Sequence, residues 1–427
     1  MRFSMPCLKP KRETMDTKHI AIIGAGPIGL EAALYATHLG YKVSVFEKAS
    51  VANHIKQWQH VTFFSPFKMN ASTLGREYLS QTNHTLPDDD SYLSGNEFRN
   101  KYLLPLADTP AIKDLIHSGV EVISVARSTQ MKRDMIGDPA RATFPFRLLL
   151  RKEDGNEFVE TADVVLDCSG TFSNANWLGE GGIPAIGEQG LQSSIEYGIA
   201  NFKANAKQYA NKTMLLIGNG HSAATTLANF EDLCATAPGS RLIWITRSDN
   251  TPPFSTIESD PLQERTRIID RANRVAQSAA VTRISGALIQ SIQKKTDTSF
   301  TVEIRQGDSF QSIEADQILA CVGHSPDNSL YSELQIHECY ASRGPMSLAA
   351  ALLGDSSEDC LAQTSKGAEV LKNPEPNFYI IGMKSYGKSP NFLLRIGHEQ
   401  IRDVFQLIKE DSALDLYRDV EHQSLTM

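Results

Sequence analysis

Apolar positions along this chain come in short unbroken runs, each followed by a small-residue turn or a stretch of helical spacing. His19-Ile20-Ala21-Ile22-Ile23 is the first such run and predicts a buried parallel strand. Gly24-Ala25-Gly26-Pro27-Ile28-Gly29 follows at once, then Leu30 to Leu39 at helical spacing, closed by Gly40. Tyr41 to Phe46 predicts a second strand, ending at Glu47. Together these make one strand–helix–strand unit.

The pattern returns near the middle of the chain. Lys212 to Ile217 predicts a strand, Gly218-Asn219-Gly220-His221-Ser222-Ala223 a second glycine-rich turn, and about Ser222 to Thr236 a helix. Arg241 to Thr246 is the returning strand, with Arg247 at its end. Asp163 to Gly170 and Gln317 to Gly323 each read as a strand running into a small-residue turn. Phe378 to Gly382 is a last apolar strand, followed by Ser389-Pro390-Asn391 and helical spacing from Phe392 to Ile408, with Pro390 suited to the helix start. The expected fold is α/β, with two Rossmann-like dinucleotide-binding domains, the second inserted into the first. The expected boundaries are a disordered leader over 1–18, first-domain segments over 19–195 and 319–427, and the inserted domain over 196–318.

Each residue of the first turn has a physical reason in a phosphate-binding role. Gly24 permits the tight turn, Gly26 lets backbone approach a pyrophosphate, and Gly29 allows close helix–strand packing. The helix N-terminus would place unpaired N–H groups and partial positive charge on the phosphates. Glu47 would accept hydrogen bonds from the two ribose hydroxyls of an adenosine. The second turn has Ala223 at its third position, and Thr246-Arg247-Ser248 stands where an acid would end the strand. A cation and hydroxyls suit a 2′-phosphate, which a carboxylate would repel, so NADP(H) is favoured over NAD(H).

Composition narrows the field. The chain has 427 residues, 41% hydrophobic and 22% charged, and a net charge of −8. That suits a soluble multidomain protein and speaks against a nucleic-acid partner, because phosphate contacts dominate that affinity. No apolar stretch is long enough to span a bilayer. The six cysteines, Cys7, Cys168, Cys234, Cys321, Cys339 and Cys360, have neither CxxC nor zinc-ligand spacing. They read as reduced thiols in a cytoplasmic protein, and no metal site is expected. Acidic surface and length fit a monomer or a homodimer.

The two turns, Glu47, the strand-to-turn segments at Asp167–Gly170 and Cys321–Gly323, and Ile380-Ile381-Gly382 together resemble the two-dinucleotide-binding-domain flavoproteins, especially the FAD- and NADPH-dependent monooxygenases. The resemblance implies FAD at the first turn, NADPH at the second, and domain crossovers at the two strand-to-turn segments. It implies an oxidoreductase that oxygenates a small N- or S-containing substrate with O₂ through a C4a-(hydro)peroxyflavin. Beyond the residues already named, Lys48, Gly170, Gly323, Gly382, Asn391 and Phe392 complete the implied cofactor-binding set. No catalytic side chain is implied. Departures are as informative: no redox-cysteine pair, Gly382-Met383 in place of Gly-Asp, no histidine among Tyr197–Asn211, and no paired glycines and tryptophan after Glu47. Two alternatives stay open, namely a flavin reductase or oxidase passing electrons to a quinone, small disulfide or O₂, and a non-catalytic nucleotide-binding protein.

Other residues carry weaker expectations. Trp58, Phe63, Phe64 and Phe67 read as core or flavin-flanking, His221 as a contact to NADPH or to water, and Lys388 as a surface lysine or flavin contact. Asp88-Asp89-Asp90 reads as a solvated loop. Cys321 reads as a packed small residue beside a crossover, and Asp260, Arg265 and Arg267 as the outer face of the NADP(H) domain.

Overall fold

A computed structural model describes residues 18–258, 260–354 and 364–418. The expected leader lies outside these apart from Lys18, as do Cys7 and Cys360. The chain divides into two compact units, one comprising the residues up to Gln57, Pro66–Thr171 and those from Pro326 on, the other Trp58–Ser65 and Phe172–Ser325. The chain thus changes unit at 57/58, 65/66, 171/172 and 325/326, so Trp58–Ser65 leaves the expected first-domain segment and the expected boundaries at 195/196 and 318/319 fall inside the second unit. The reason is long-range pairing: Gly179 bridges to Ile289 and Ile186 to Ser291, which ties residues 172–195 to a hairpin of the second unit.

The first unit is built on a five-stranded parallel sheet. Its strands are β1 (His19–Ile23), β2 (Lys42–Glu47), β3 (Ile116–Ser118), β7 (Val164–Asp167) and β16 (Phe378–Ile380), in the order β16-β7-β1-β2-β3. An antiparallel sheet of β4 (Val120–Arg127), β5 (Phe146–Lys152) and β6 (Glu157–Ala162) covers part of it. Ile23, Phe46, Val165, Phe378 and Ile380 share one apolar core with Val125, Phe146 and Leu148 of that second layer. Parallel strands buried on both faces read as continuous apolar runs, which is why β1 and β7 were legible.

The second unit repeats the plan. Its parallel sheet has β8 (Glu196–Tyr197), β9 (Thr213–Ile217), β10 (Arg241–Thr246), β11 (Val281–Ser285) and β15 (Gln317–Ala320), in the order β11-β10-β9-β15-β8. The antiparallel strands β12 (Ala287–Thr296), β13 (Ser299–Gln306) and β14 (Ser309–Ala315) form its second layer. The helices following the two turns run over Pro27–His38 and His221–Thr236.

One expectation is corrected. The last helix begins at Leu394, with Leu393 as its N-cap in extended backbone, so Pro390, Asn391 and Phe392 precede it rather than open it. A 3₁₀ segment over Gly382–Tyr386 fills the interval after β16. Among the described residues, no helix is long and apolar enough to cross a membrane.

Candidate functional site

The first turn joins β1 to its helix under tight steric control. Gly24 has φ +98°, and a Cβ there would lie 3.0 Å from the Cys168 carbonyl oxygen and 3.2 Å from the Ser169 Cα. A Cβ on Gly29 would sit 1.9 Å from the Gly24 carbonyl oxygen. At Gly26 a Cβ would meet nothing within 4 Å, so one side of the turn is open. Gly26 is the N-cap of helix Pro27–His38, and no side chain caps that terminus. No side chain therefore claims the first backbone N–H groups of this helix, and a helix start of that kind suits an anion. Pro27, the first helical residue, has no N–H to lose there.

Glu47 ends β2 beside this turn. Its Oε2 accepts from the Ala25 N–H at 2.9 Å and its Oε1 from the Ala49 N–H at 3.0 Å. Each carboxylate oxygen keeps further acceptor capacity for a sugar hydroxyl. Lys48 is exposed, and Ile28 turns inward, where its side chain lies 3.3 Å from the place of a Cβ on Gly382. Gly397 leaves the same side chain room, since a Cβ there would approach Ile28 Cδ1 to 2.3 Å. The Phe392 ring stands edge-on to Tyr386 at 5.4 Å, and Asn391 is half-buried. Gly170 and Gly382 both hold left-handed φ, at +70° and +73°. The open Gly26 face, the uncapped helix and the Glu47 carboxylate fit the pyrophosphate and ribose of a dinucleotide.

The second turn has the same construction. Gly218 has φ +121°, and a Cβ would lie 2.2 Å from the Cys321 carbonyl oxygen, while Gly220 faces open space. Gly220 is the N-cap of helix His221–Thr236, again with no side-chain cap. Ala223 is fully buried and Ser222 exposed. Asn219 donates to Ser248 Oγ at 3.0 Å, linking the turn to the end of β10. Arg247 is exposed there and makes no ion pair among the described residues. His221 stands edge-on to Phe64 at 5.6 Å and lines a small recess with Asp260 and Arg265. Asp260 and Arg265 form a two-pronged ion pair with both bonds at 2.7 Å, and Arg267 pairs with Glu264.

Sequence reasoning missed Arg283 and Trp244 at this site. Arg283, on β11, donates to the Ser248 carbonyl at 3.1 Å and the Asn250 carbonyl at 2.9 Å, and its guanidinium lies 5.1 Å from the Trp244 ring. The Trp244 indole N–H in turn donates to the Gly218 carbonyl at 2.7 Å. The strand end therefore carries two cations, one exposed and one bracing the loop. No local motif announces Arg283, because it arrives by strand pairing.

The remaining expectations divide. Phe67 is buried in the first unit against Tyr102, whereas Trp58, Phe63 and Phe64 belong to the second, with Trp58 5.3 Å from Phe63. Gly323 is exposed at φ +78°, and its carbonyl accepts from Asn176 N–H at 3.0 Å. Lys68 pairs with Asp90, and Arg76 with Asp89, in an exposed loop. Lys388 is exposed, and the buried lysine is Lys384 instead, 2.6 Å from Asp167. Among the described cysteines, Cys168, Cys234, Cys321 and Cys339 are all free thiols. Burial pushes the Cys168 thiol well above its ordinary value and that of Cys321 up to about 12, where Sγ donates to the Gly198 carbonyl at 3.1 Å.

A family model described as pyridine nucleotide-disulphide oxidoreductase matches residues 21–133. No curated protein matches the sequence. Solved structures similar over nearly the whole chain include a bacillithiol disulfide reductase of Bacillus cereus, with TM-score 0.66 and 17% identity, covering 92% of this chain and 99% of that one. The FAD-bound cadaverine monooxygenase of Erwinia amylovora desferrioxamine biosynthesis gives TM-score 0.63 and 12% identity over 92% and 95% of the two chains. The ornithine N-hydroxylase of Kutzneria sp. 744, solved with reduced FAD, NADP⁺ and L-ornithine, gives 0.59 and 14% over 92% and 99%. This chain therefore has the two-unit fold of the FAD- and NAD(P)-binding flavoprotein oxidoreductases, as a divergent example of it.

Proposed function

We propose that the chain is an FAD-dependent, NADPH-consuming monooxygenase acting on a small N- or S-containing substrate. The observation that carries the cofactor pair is the contrast between two otherwise equivalent turns. Both start a helix that no side chain caps, at a glycine where a Cβ would meet no protein atom within 4 Å. The first ends its neighbouring strand in Glu47, which suits the free ribose hydroxyls of FAD; the second ends in Arg247 and Ser248, which suit a 2′-phosphate. We place FAD on Gly24, Gly26, Gly29 and Glu47, and NADPH on Gly218, Gly220, Asn219 and Arg247.

When bound, the flavin supplies hydride acceptance from NADPH and activation of O₂. The protein's share is binding and orientation. Helix starts at Gly26 and Gly220 hold the two pyrophosphates, and the strand ends select the two riboses. The two thiols beside the turns speak against a disulfide relay, while hydrogen bonding to Ser342 holds a third, Cys339, below its ordinary value. Cys168 and Cys321 are both free thiols beside a turn, and desolvation pushes both up, away from the thiolate that a relay would use.

Arg247→Ala is expected to weaken NADPH by about 10- to 100-fold, the worth of a charge-assisted hydrogen bond, and to leave NADH nearly unchanged. Steady-state KM values for both nucleotides check this, and equal losses would remove the 2′-phosphate assignment. Oxygenation is tested by turnover under ¹⁸O₂ with amine and thiol substrates. Label in the product is the expected result. Label only in hydrogen peroxide or water would establish a reductase or oxidase, and a chain whose flavin NADPH never bleaches would be a binding protein.

A further inference from the structure

The two units build the wall of their glycine turns with equivalent residues. Asp167 lies opposite Ile23, the residue before Gly24, and Ala320 lies opposite Ile217, the residue before Gly218. Cys168 and Cys321 follow, each presenting its carbonyl oxygen to the turn glycine, at 3.0 Å and 2.2 Å from the place of a Cβ. The second unit closes this geometry with Ala320 and Val322, so the turn itself needs no charge. The first unit uses Asp167 and Ser169 instead, and buries a lysine with them.

Asp167 is 0% exposed and Lys384 is 1% exposed. Lys384 Nζ donates to Asp167 Oδ2 at 2.6 Å and to Ser169 Oγ at 3.1 Å, and lies 5.0 Å from the Tyr331 ring centroid. Ser169 Oγ donates to Asp167 Oδ1 at 2.6 Å, and its backbone N–H donates to the same oxygen at 3.1 Å. The segment carrying Lys384 is itself pinned, since Gln400 accepts from the Gly382 N–H at 2.8 Å and donates to Ser385 Oγ at 2.9 Å. Burying an ion pair is seldom the cheapest way to stabilise a fold, because desolvation offsets the attraction. The apolar version in the second unit shows that the alternative was open to this chain.

We propose that Lys384 and Ser169 are positioning residues for the cofactor of the first turn. Lys384, anchored by Asp167, fixes the Ser169 hydroxyl and with it the Cys168–Gly170 wall on which the Gly24–Gly29 turn closes, and so sets the affinity for FAD. This rests on the assignment of FAD to that turn.

The test is titration of FAD into the flavin-free full-length chain, followed by quenching of flavin fluorescence, with an unfolding midpoint recorded for every variant. Ser169→Ala is expected to raise the Kd for FAD about tenfold and to lower the midpoint, though by less than Lys384→Met, because Asp167 and Lys384 each lose one buried hydrogen bond but keep their ion pair. Ser169→Thr, which keeps the hydroxyl, is expected to bind as the parent does. Lys384→Met alone leaves a buried carboxylate and is expected to lower the midpoint. The pair Asp167→Asn with Lys384→Met is expected to recover the midpoint while FAD stays weakened, and NADPH affinity serves as the second-turn control. Recovery of both midpoint and FAD affinity in the pair, or parental affinity in Ser169→Ala, overturns the proposal alone. A parent chain that takes up no FAD overturns the cofactor reading and the proposal with it.

Discussion

Gly29→Ala is expected to yield a chain that holds no flavin and whose first unit is destabilised by more than about 3 kcal/mol, a magnitude reached when a buried backbone contact cannot relax. The added Cβ would lie 1.9 Å from the Gly24 carbonyl oxygen, and no rotation relieves a clash between Cβ and backbone. The helix would have to move off the strand, which separates the N–H groups that the phosphates need. Gly26→Ala is the informative companion. Its φ of −79° suits any residue, and the new methyl would meet no protein atom within 4 Å. Its unfolding midpoint should stay within about 0.5 kcal/mol of the parent, as for other contact-free substitutions. Its flavin affinity should still fall, because the methyl would occupy the space on which the pyrophosphate depends. Flavin content after purification and denaturant melts read both variants. Full flavin binding in Gly26→Ala would remove the assignment of the first turn.

Glu375→Gln should cost about 3–5 kcal/mol, the usual consequence of removing one partner from a buried ionic network. Glu375 is 0% exposed and lies between two buried arginines. Its Oε1 accepts from Arg127 Nε at 2.7 Å and Arg141 Nε at 3.0 Å, and its Oε2 accepts from the Gln335 N–H at 3.0 Å. Arg141 also donates to the Met131 and Asp134 carbonyls, and Arg127 lies 3.6 Å over the Phe146 ring. The network thus ties β4, the 131–141 loop and the segment before β16 to one carboxylate. With glutamine there, two guanidinium groups keep their buried positions and lose the charge that offset their desolvation. Urea melts at neutral pH measure the loss, and a variant with apolar residues at all three positions should regain most of it.

The same carboxylate makes stability pH-dependent. Burial opposes its ionisation, but Arg141 and Arg127 hold it below its ordinary value of 4.5. A depressed folded-state pKa contributes stability above the unfolded value, which is lost as the pH falls through the folded value. The unfolding midpoint should therefore decline below pH 4.5 in the parent, and the decline should be shallower in Glu375→Gln.

Much of this molecule could be read residue by residue. Both glycine turns, the strands before them and the helices after them lie where the apolar runs and turn residues put them, to within a residue at each end except that the first helix starts three residues early, at Pro27 rather than Leu30. Turn chemistry is local: a left-handed φ at Gly24 or Gly218 and the open face at Gly26 or Gly220 depend on neighbours a few positions away. Pro390 misled because a proline suits a helix start but does not compel one. Three residues, Asn391, Phe392 and Leu393, intervene before the helix begins at Leu394.

The sequence by itself determined the α/β plan, the doubling of the dinucleotide turn, and the acid-versus-cation contrast at Glu47 and Arg247. These are carried by short-range periodicity and by residues adjacent to the turns they serve. Tertiary structure alone decided which distant groups meet at those turns. Lys384 reaches Asp167 and Ser169 because β16 pairs with β7, and Arg283 reaches Ser248 because β11 pairs with β10. Glu375 reaches Arg127 and Arg141 because a single carboxylate satisfies chain segments that have no common pattern. An apolar run states that a strand is buried, but not which strand lies beside it. Register between partners far apart in sequence is set only when the whole sheet packs.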